Sequence, residues 1–199
     1  MATYNISEME EALENASSIV LSDIRGTFKE FFEEISKNNF KSEILKQNSF
    51  IEIYDLTDHA SHENVFYGQG LYVIFTNHEI GENKCILRLD EEVVAIYRGE
   101  CFTVKRRIES HLFNEKYQNS YEKRKTEKLN AGKKFSEPFY GACIKVDPQK
   151  SGINIDKPEY SSSKWKVLVL KMSGSSSPIR KQAELAFDDV FTKPVASRD

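Results

Sequence analysis

Residues 70–75, Gly-Leu-Tyr-Val-Ile-Phe, constrain the fold of this chain more than any other stretch. The run is apolar, rich in β-formers and too short for a buried helix. Residues 93–97 and 165–172 have the same character, and residues 85–89 precede the turn-like Asp90-Glu91-Glu92. Helical spacings lie around these runs. Thr103 can cap a helix through Val104, Ile108, His111 and Leu112. Ser177 and Pro178 open another through Ile179, Ala183, Ala186 and Val190. Few short strands separated by helices predict an α+β fold, a small antiparallel sheet flanked by helices.

The remainder reads as additions to that core. Ser7 and Glu10 form a capping box ahead of Met9, Leu13, Ala16 and Val20, which share a helical face. Ile24, Phe28, Phe31, Phe32 and Ile35 repeat the spacing, and Asn38-Asn39 suggests its end. Residues 50–56 look like a strand, and residues 58–64 like a polar loop. Residues 1–64 are therefore expected to be an acidic, mostly helical N-terminal extension. Residues 65–199 form the main domain, with an insertion at 114–164 before the last strand. Residues 139–146 are a possible strand within that insertion.

At 199 residues the chain can bury a core without staples. Cys85, Cys101 and Cys143 are few, odd in number and scattered, which suits a reducing cytoplasm better than a disulfide framework. No secretory signal and no membrane-spanning run is expected. The net charge of −3 does not by itself suggest nucleic-acid binding, but its distribution is informative. Residues 104–134 hold ten bases against four acids, among them Lys105, Arg106, Lys123, Arg124, Lys125 and Lys128. Neutralising phosphates needs a local positive field rather than a positive total. A mixed-charge, solvated helix is the plain alternative, because Glu109, Glu115, Glu122 and Glu127 are interspersed.

An ordered set of residues carries the chemistry. Gly70-Leu71-Tyr72 is followed by Tyr97-Arg98-Gly99. Arg107 and His111 lie ten and fourteen residues after Tyr97, and Glu184 sits on the last helix. In spacing and order this set resembles the GIY-YIG nuclease family over residues 70–113 and 165–194, and the resemblance implies a three-stranded antiparallel sheet of residues 70–75, 93–97 and 165–172 with helices packed on it. The resemblance implies a metal-dependent endonuclease that hydrolyses phosphodiester bonds in DNA, with RNA as an alternative polymer, and it fits a stand-alone restriction or defence nuclease.

The roles follow from the resemblance and from the residue types. Tyr72, Tyr97, Arg107, His111 and Glu184 become the catalytic set. Glu184 would hold one Mg²⁺ or Mn²⁺, ions that favour hard oxygen ligands. Arg107 would grip nonbridging phosphoryl oxygens with a fork that stays charged. His111, one helical turn away, titrates near neutrality. One tyrosine would position or deprotonate the water, and Tyr72 is the expected one. Lys105, Arg106, Lys123, Arg124, Lys125 and Lys128 would line the nucleic-acid path. A homodimer would let two such sites address both strands of a duplex, using the aromatic stripe from Ile24 to Ile35.

Three departures stand against the family pattern. Arg98 occupies an aliphatic position, Glu100 stands where Lys or Ser is common, and Ser197 lies where a late Asn is expected. They motivate one alternative, a nucleic-acid-binding module that has lost catalysis, and the acidic N-terminal helices suggest another, a protein-interaction domain. His59-x-x-His62 lies in the expected polar loop without a Cys pair at zinc spacing, and is weak evidence of a metal site.

Overall fold

The computed structural model of the chain describes residues 6–37, 40–141, 144 and 153–197. Helix α1 (Ile6–Ser36) and a single turn α2 (Ser42–Leu45) precede strand β1 (Ile51–Asp55). A 3₁₀ turn (Ser61–Asn64) leads to β2 (Gly70–Thr76), β3 (Arg88–Leu89) and β4 (Val93–Cys101). Helices α3 (Val104–Leu112), α4 (Asn114–Asn130) and α5 (Pro158–Ser161) follow, then β5 (Trp165–Lys171) and α6 (Ser177–Phe191). No helix among the described residues is long and apolar enough to cross a membrane.

The fold is α+β with an antiparallel sheet, but the sheet has five strands rather than the expected three, in the order β1-β5-β2-β4-β3. The three expected strands, β5, β2 and β4, are its centre. β1 joins because Ile51 and Ile53 alternate inward and pair with Leu170 and Leu168 of β5. β3 closes the other edge with only Arg88 and Leu89. Asp90 and Glu91, both at positive φ, make the sharp turn between β3 and β4. The N-terminal region therefore adds a strand to the sheet of the main domain and shares its core. Residues 139–141 are not a strand, and part of the stretch expected to be one lies outside the described residues, as does Asn38-Asn39.

Alternation along β2 divides the core into two layers. Leu71, Val73 and Phe75 pack with Phe32 of α1 and Ala183, Ala186 and Phe187 of α6. Tyr72 and Ile74 pack on the opposite face with Val104, Ile108 and Leu112 of α3. The aromatic stripe of α1 mostly serves the first layer. Phe32 is buried, edge-on to Phe187 at 5.7 Å, and Phe28, Phe31 and Ile35 are partly covered by the same cluster. Farther toward the N-terminus, Ile6, Met9, Leu13 and Val20 remain exposed.

Candidate functional site

The two glycines of the motif are fixed by close approach. A Cβ at Gly70 would lie 2.5 Å from the Leu170 carbonyl oxygen of β5. A Cβ at Gly99 would lie 2.7 Å from the Tyr72 hydroxyl, so Gly99 leaves the notch into which that hydroxyl reaches. Tyr72 and Gly99 are cross-strand partners.

Tyr97 reaches the same face through a bulge. Ile74 pairs with Tyr97 but the next residue, Phe75, pairs with Ala95, so β4 carries one extra residue here. Ile96 and Tyr97 consequently both join the layer of Tyr72, although neighbours on a strand normally alternate. The Tyr72 and Tyr97 rings lie nearly parallel, 5.9 Å between centroids.

Helix α3 brings the cation and the imidazole. The hydroxyl of Tyr72 and Nε2 of His111 form a 2.9 Å hydrogen bond, and the Tyr97 ring lies 4.4 Å from the His111 ring. The Arg107 guanidinium sits beside both tyrosine hydroxyls and 5.4 Å from the centre of the Tyr140 ring. Burial opposes its charge, but the two phenols hold its pKa above the ordinary arginine value. Burial pushes the Tyr72 phenol well above its ordinary value of 10.0, with Arg107 pulling the other way. Tyr72, at 0 % exposure, is sealed, whereas Tyr97 keeps 8 % and Arg107 is half-buried. Four of the five residues expected to be catalytic thus converge on one face.

The fifth does not join them. Arg98 pairs in register with Val73, so its side chain leaves the sheet toward α6, the layer opposite Tyr72. There its Nη1 donates to Glu184 Oε1 at 2.5 Å, while Nε and Nη2 grip both carboxylate oxygens of Asp188. Lys181 holds the other Glu184 oxygen at 2.6 Å. Glu184 is buried, 6 % exposed. A carboxylate with two cationic partners, on the far face from the tyrosines, does not fit the role of Mg²⁺ or Mn²⁺ ligand for this cluster. Glu100 makes a parallel link, accepting from Arg180 Nε at 2.7 Å. Ser197 accepts the Arg98 amide at 2.9 Å, tying the C-terminal segment to β4 rather than to the tyrosines.

The basic segment is extensively paired. Lys105 meets Glu63 at 2.8 Å, and Arg106 and Arg124 both reach Glu137. Lys123 and Lys125 lie near Glu127 and Glu122 on the surface of α4, and Lys128 sits over the Phe135 ring. Exposed pairs of this kind contribute little and exchange readily for other partners. Lys123, Lys125 and Lys128 are thus the expected binding residues with the weakest internal commitments. Glu137 and Tyr140 belong to the chain that follows α4 and bring the insertion over the Arg106–Arg107 turn.

Sequence reasoning missed Tyr140, whose ring stands on Arg107, and Glu109, which faces His59. Tyr140 lies in the stretch 139–146, read as a possible strand of the insertion, and no motif spacing ties it to Arg107. Glu109 sits midway between Arg107 and His111, but on another side of the helix. Comparison of the chain with family models, with curated proteins and with solved structures returns no match.

Proposed function

We propose that this chain is a GIY-YIG-type endonuclease, a phosphodiester hydrolase acting on DNA, with RNA the alternative polymer. The observation that carries the reading is the convergence of Tyr72, Tyr97, Arg107 and His111 beside the Gly99 notch. Arg107 offers charged donors to phosphoryl oxygens as negative charge develops on them. Tyr97, the less buried phenol, faces the attacking water. Tyr72 and His111 form a hydrogen-bonded pair behind it that can pass a proton inward. The exposed bases of α4 extend the contact along the phosphate backbone. A second copy would bring a second site to the opposite strand. The face proposed for it is the exposed row Ile6, Met9, Leu13 and Val20 rather than the Ile24–Ile35 stripe, which packs largely on its own core.

One observation favours a second reading, a nucleic-acid-binding module without catalysis: Glu184 is committed to Arg98 and Lys181. A supercoiled-plasmid assay separates the two. Nicking in Mg²⁺ or Mn²⁺ that EDTA stops, and that Arg107→Ala slows by about 100-fold or more while Arg106→Ala does not, supports the nuclease. Plasmid binding with no strand breaks supports the module. Absence of both cutting and binding overturns both readings.

A further inference from the structure

Beside the tyrosine cluster, on another side of α3, lies a second group of ligating side chains. His59 Nε2 is 2.9 Å from Glu109 Oε1. His62, only 2 % exposed, stacks beside His59 with ring centroids 5.5 Å apart. One ligand atom from each of His59, His62 and Glu109 lies within 4.8 Å of the other two.

The arrangement of His62 is what a ligand requires. Its Nε2 donates to the Lys105 carbonyl oxygen at 2.8 Å, which fixes the ring and the tautomer. Its Nδ1 is buried and has no hydrogen-bond partner among the described residues. Because a carbonyl oxygen can only accept, the proton sits on Nε2 and the lone pair of the neutral ring lies on Nδ1. A backbone carbonyl on one imidazole nitrogen and a free lone pair on the other is the usual outer arrangement of a metal-bound histidine. A neutral buried nitrogen without a partner is otherwise uncommon.

The geometry points to a zinc-class divalent ion bound by His59, His62 and Glu109, with a fourth position left to solvent or substrate. Two imidazoles and one carboxylate suit Zn²⁺ and its neighbours in the first transition row, not Mg²⁺, which avoids nitrogen ligands. Ligand atoms on a tetrahedral ion at about 2.0–2.1 Å lie roughly 3.3 Å apart. The His59–Glu109 pair is already near that span, and no separation within the group exceeds 4.8 Å. The neighbouring ammonium, Lys105, is turned away to Glu63 at 2.8 Å. The ion would staple the 3₁₀ turn to α3, the helix that carries Arg107 and His111. This site does not depend on the nuclease reading.

Purified full-length chain, stripped with chelator, is titrated with Zn²⁺ against a competing chromophoric chelator and separately with Co²⁺ followed by visible absorption. One ion per chain is expected, together with Co²⁺ bands showing nitrogen ligation and a metal-dependent rise in melting temperature. Glu109→Gln and His59→Ala should each weaken Zn²⁺ binding at least tenfold, while Arg107→Ala binds as the wild type does. If Glu109→Gln is misfolded, His59→Asn, at a partly exposed position, carries the comparison. Binding below one tenth of an ion per chain at micromolar Zn²⁺, or equal affinity in wild type and the His59 variant, overturns the site.

Discussion

Replacing Arg98 by methionine should strongly destabilise the β4–α6 layer. The Arg98 side chain is 3 % exposed and its two carboxylate partners, on Glu184 and Asp188, are 8 % and 20 % exposed. Methionine fills most of the space but leaves both acids without their common cation. Removing one partner of a buried pair costs about 3–5 kcal/mol, because the remaining charge is left desolvated. Two features argue for the lower end. Lys181 still holds Glu184 from an exposed position, and Asp188 can recover some water. The expected loss is therefore about 3 kcal/mol, a fall in melting temperature of about 6–12 °C for a domain of this size. The double variant Arg98→Met, Glu184→Met replaces ions by apolar volume, which is often close to neutral. It should fall short of the sum of the single losses by on the order of 1–2 kcal/mol. Urea unfolding of the four proteins measures both quantities. A loss below about 0.5 kcal/mol for Arg98→Met, or strict additivity, would refute the argument that this network is coupled and desolvated.

Other outcomes follow from the same geometry. Burial pushes the Cys85 thiol up to about 11 and the Cys101 thiol up to about 12, so in a Cys143→Ser background neither should react with a disulfide reagent at pH 8 until urea is added. Rapid labelling of the native protein would show that one of these side chains is accessible. Neutralising Lys123, Lys125 and Lys128 together should weaken DNA binding and lower the slope of log affinity against log salt by about 0.9 for each phosphate that is no longer neutralised. An unchanged slope would assign α4 to the solvated surface.

The frame of the cluster was largely legible in the sequence. A short apolar strand opened by Gly70, a second Tyr-x-Gly strand and offsets of ten and fourteen residues sufficed to bring Tyr72, Tyr97, Arg107 and His111 together. The offset of four between Arg107 and His111 is local helix geometry, which sequence spacing reports well. Features that depend on long-range pairing were not legible. The bulge that turns Tyr97 toward Tyr72 leaves no mark on a run of apolar residues. Joining β1 to β5 brings together segments more than a hundred residues apart. Glu184 looks like any polar residue on an amphipathic helix. Only the register Val73–Arg98 reveals that it faces a buried arginine. Arg98 and Glu100 were visible as departures from the motif, but their meaning was not. Each places a charge on the α6 side of β4, and each meets an opposite charge on α6, Glu184 for one and Arg180 for the other.

That layering also bears on which of the two tyrosines takes the proton. Tyr72 is the proton acceptor expected from the family resemblance. It is fully buried, its hydroxyl is already bonded to His111, and burial raises the cost of ionising it. A group that takes a proton from water must reach that water, directly or through one intermediary. Tyr97 is the phenol with residual exposure, and it stands next to the Arg107 guanidinium. Tyr97→Phe should therefore cause the larger loss in single-turnover cleavage, with little change in urea stability. Tyr72→Phe should cost about 1 kcal/mol of stability, because it leaves His111 Nε2 without that hydrogen bond in a dry site, and should slow cleavage less. Measuring both quantities for both variants separates the proton acceptor from its support. A Tyr72→Phe enzyme slower than Tyr97→Phe at unchanged stability would return the acceptor role to Tyr72. It would also require the layer over β2 to open during turnover, since the Tyr72 side chain is sealed beneath α3.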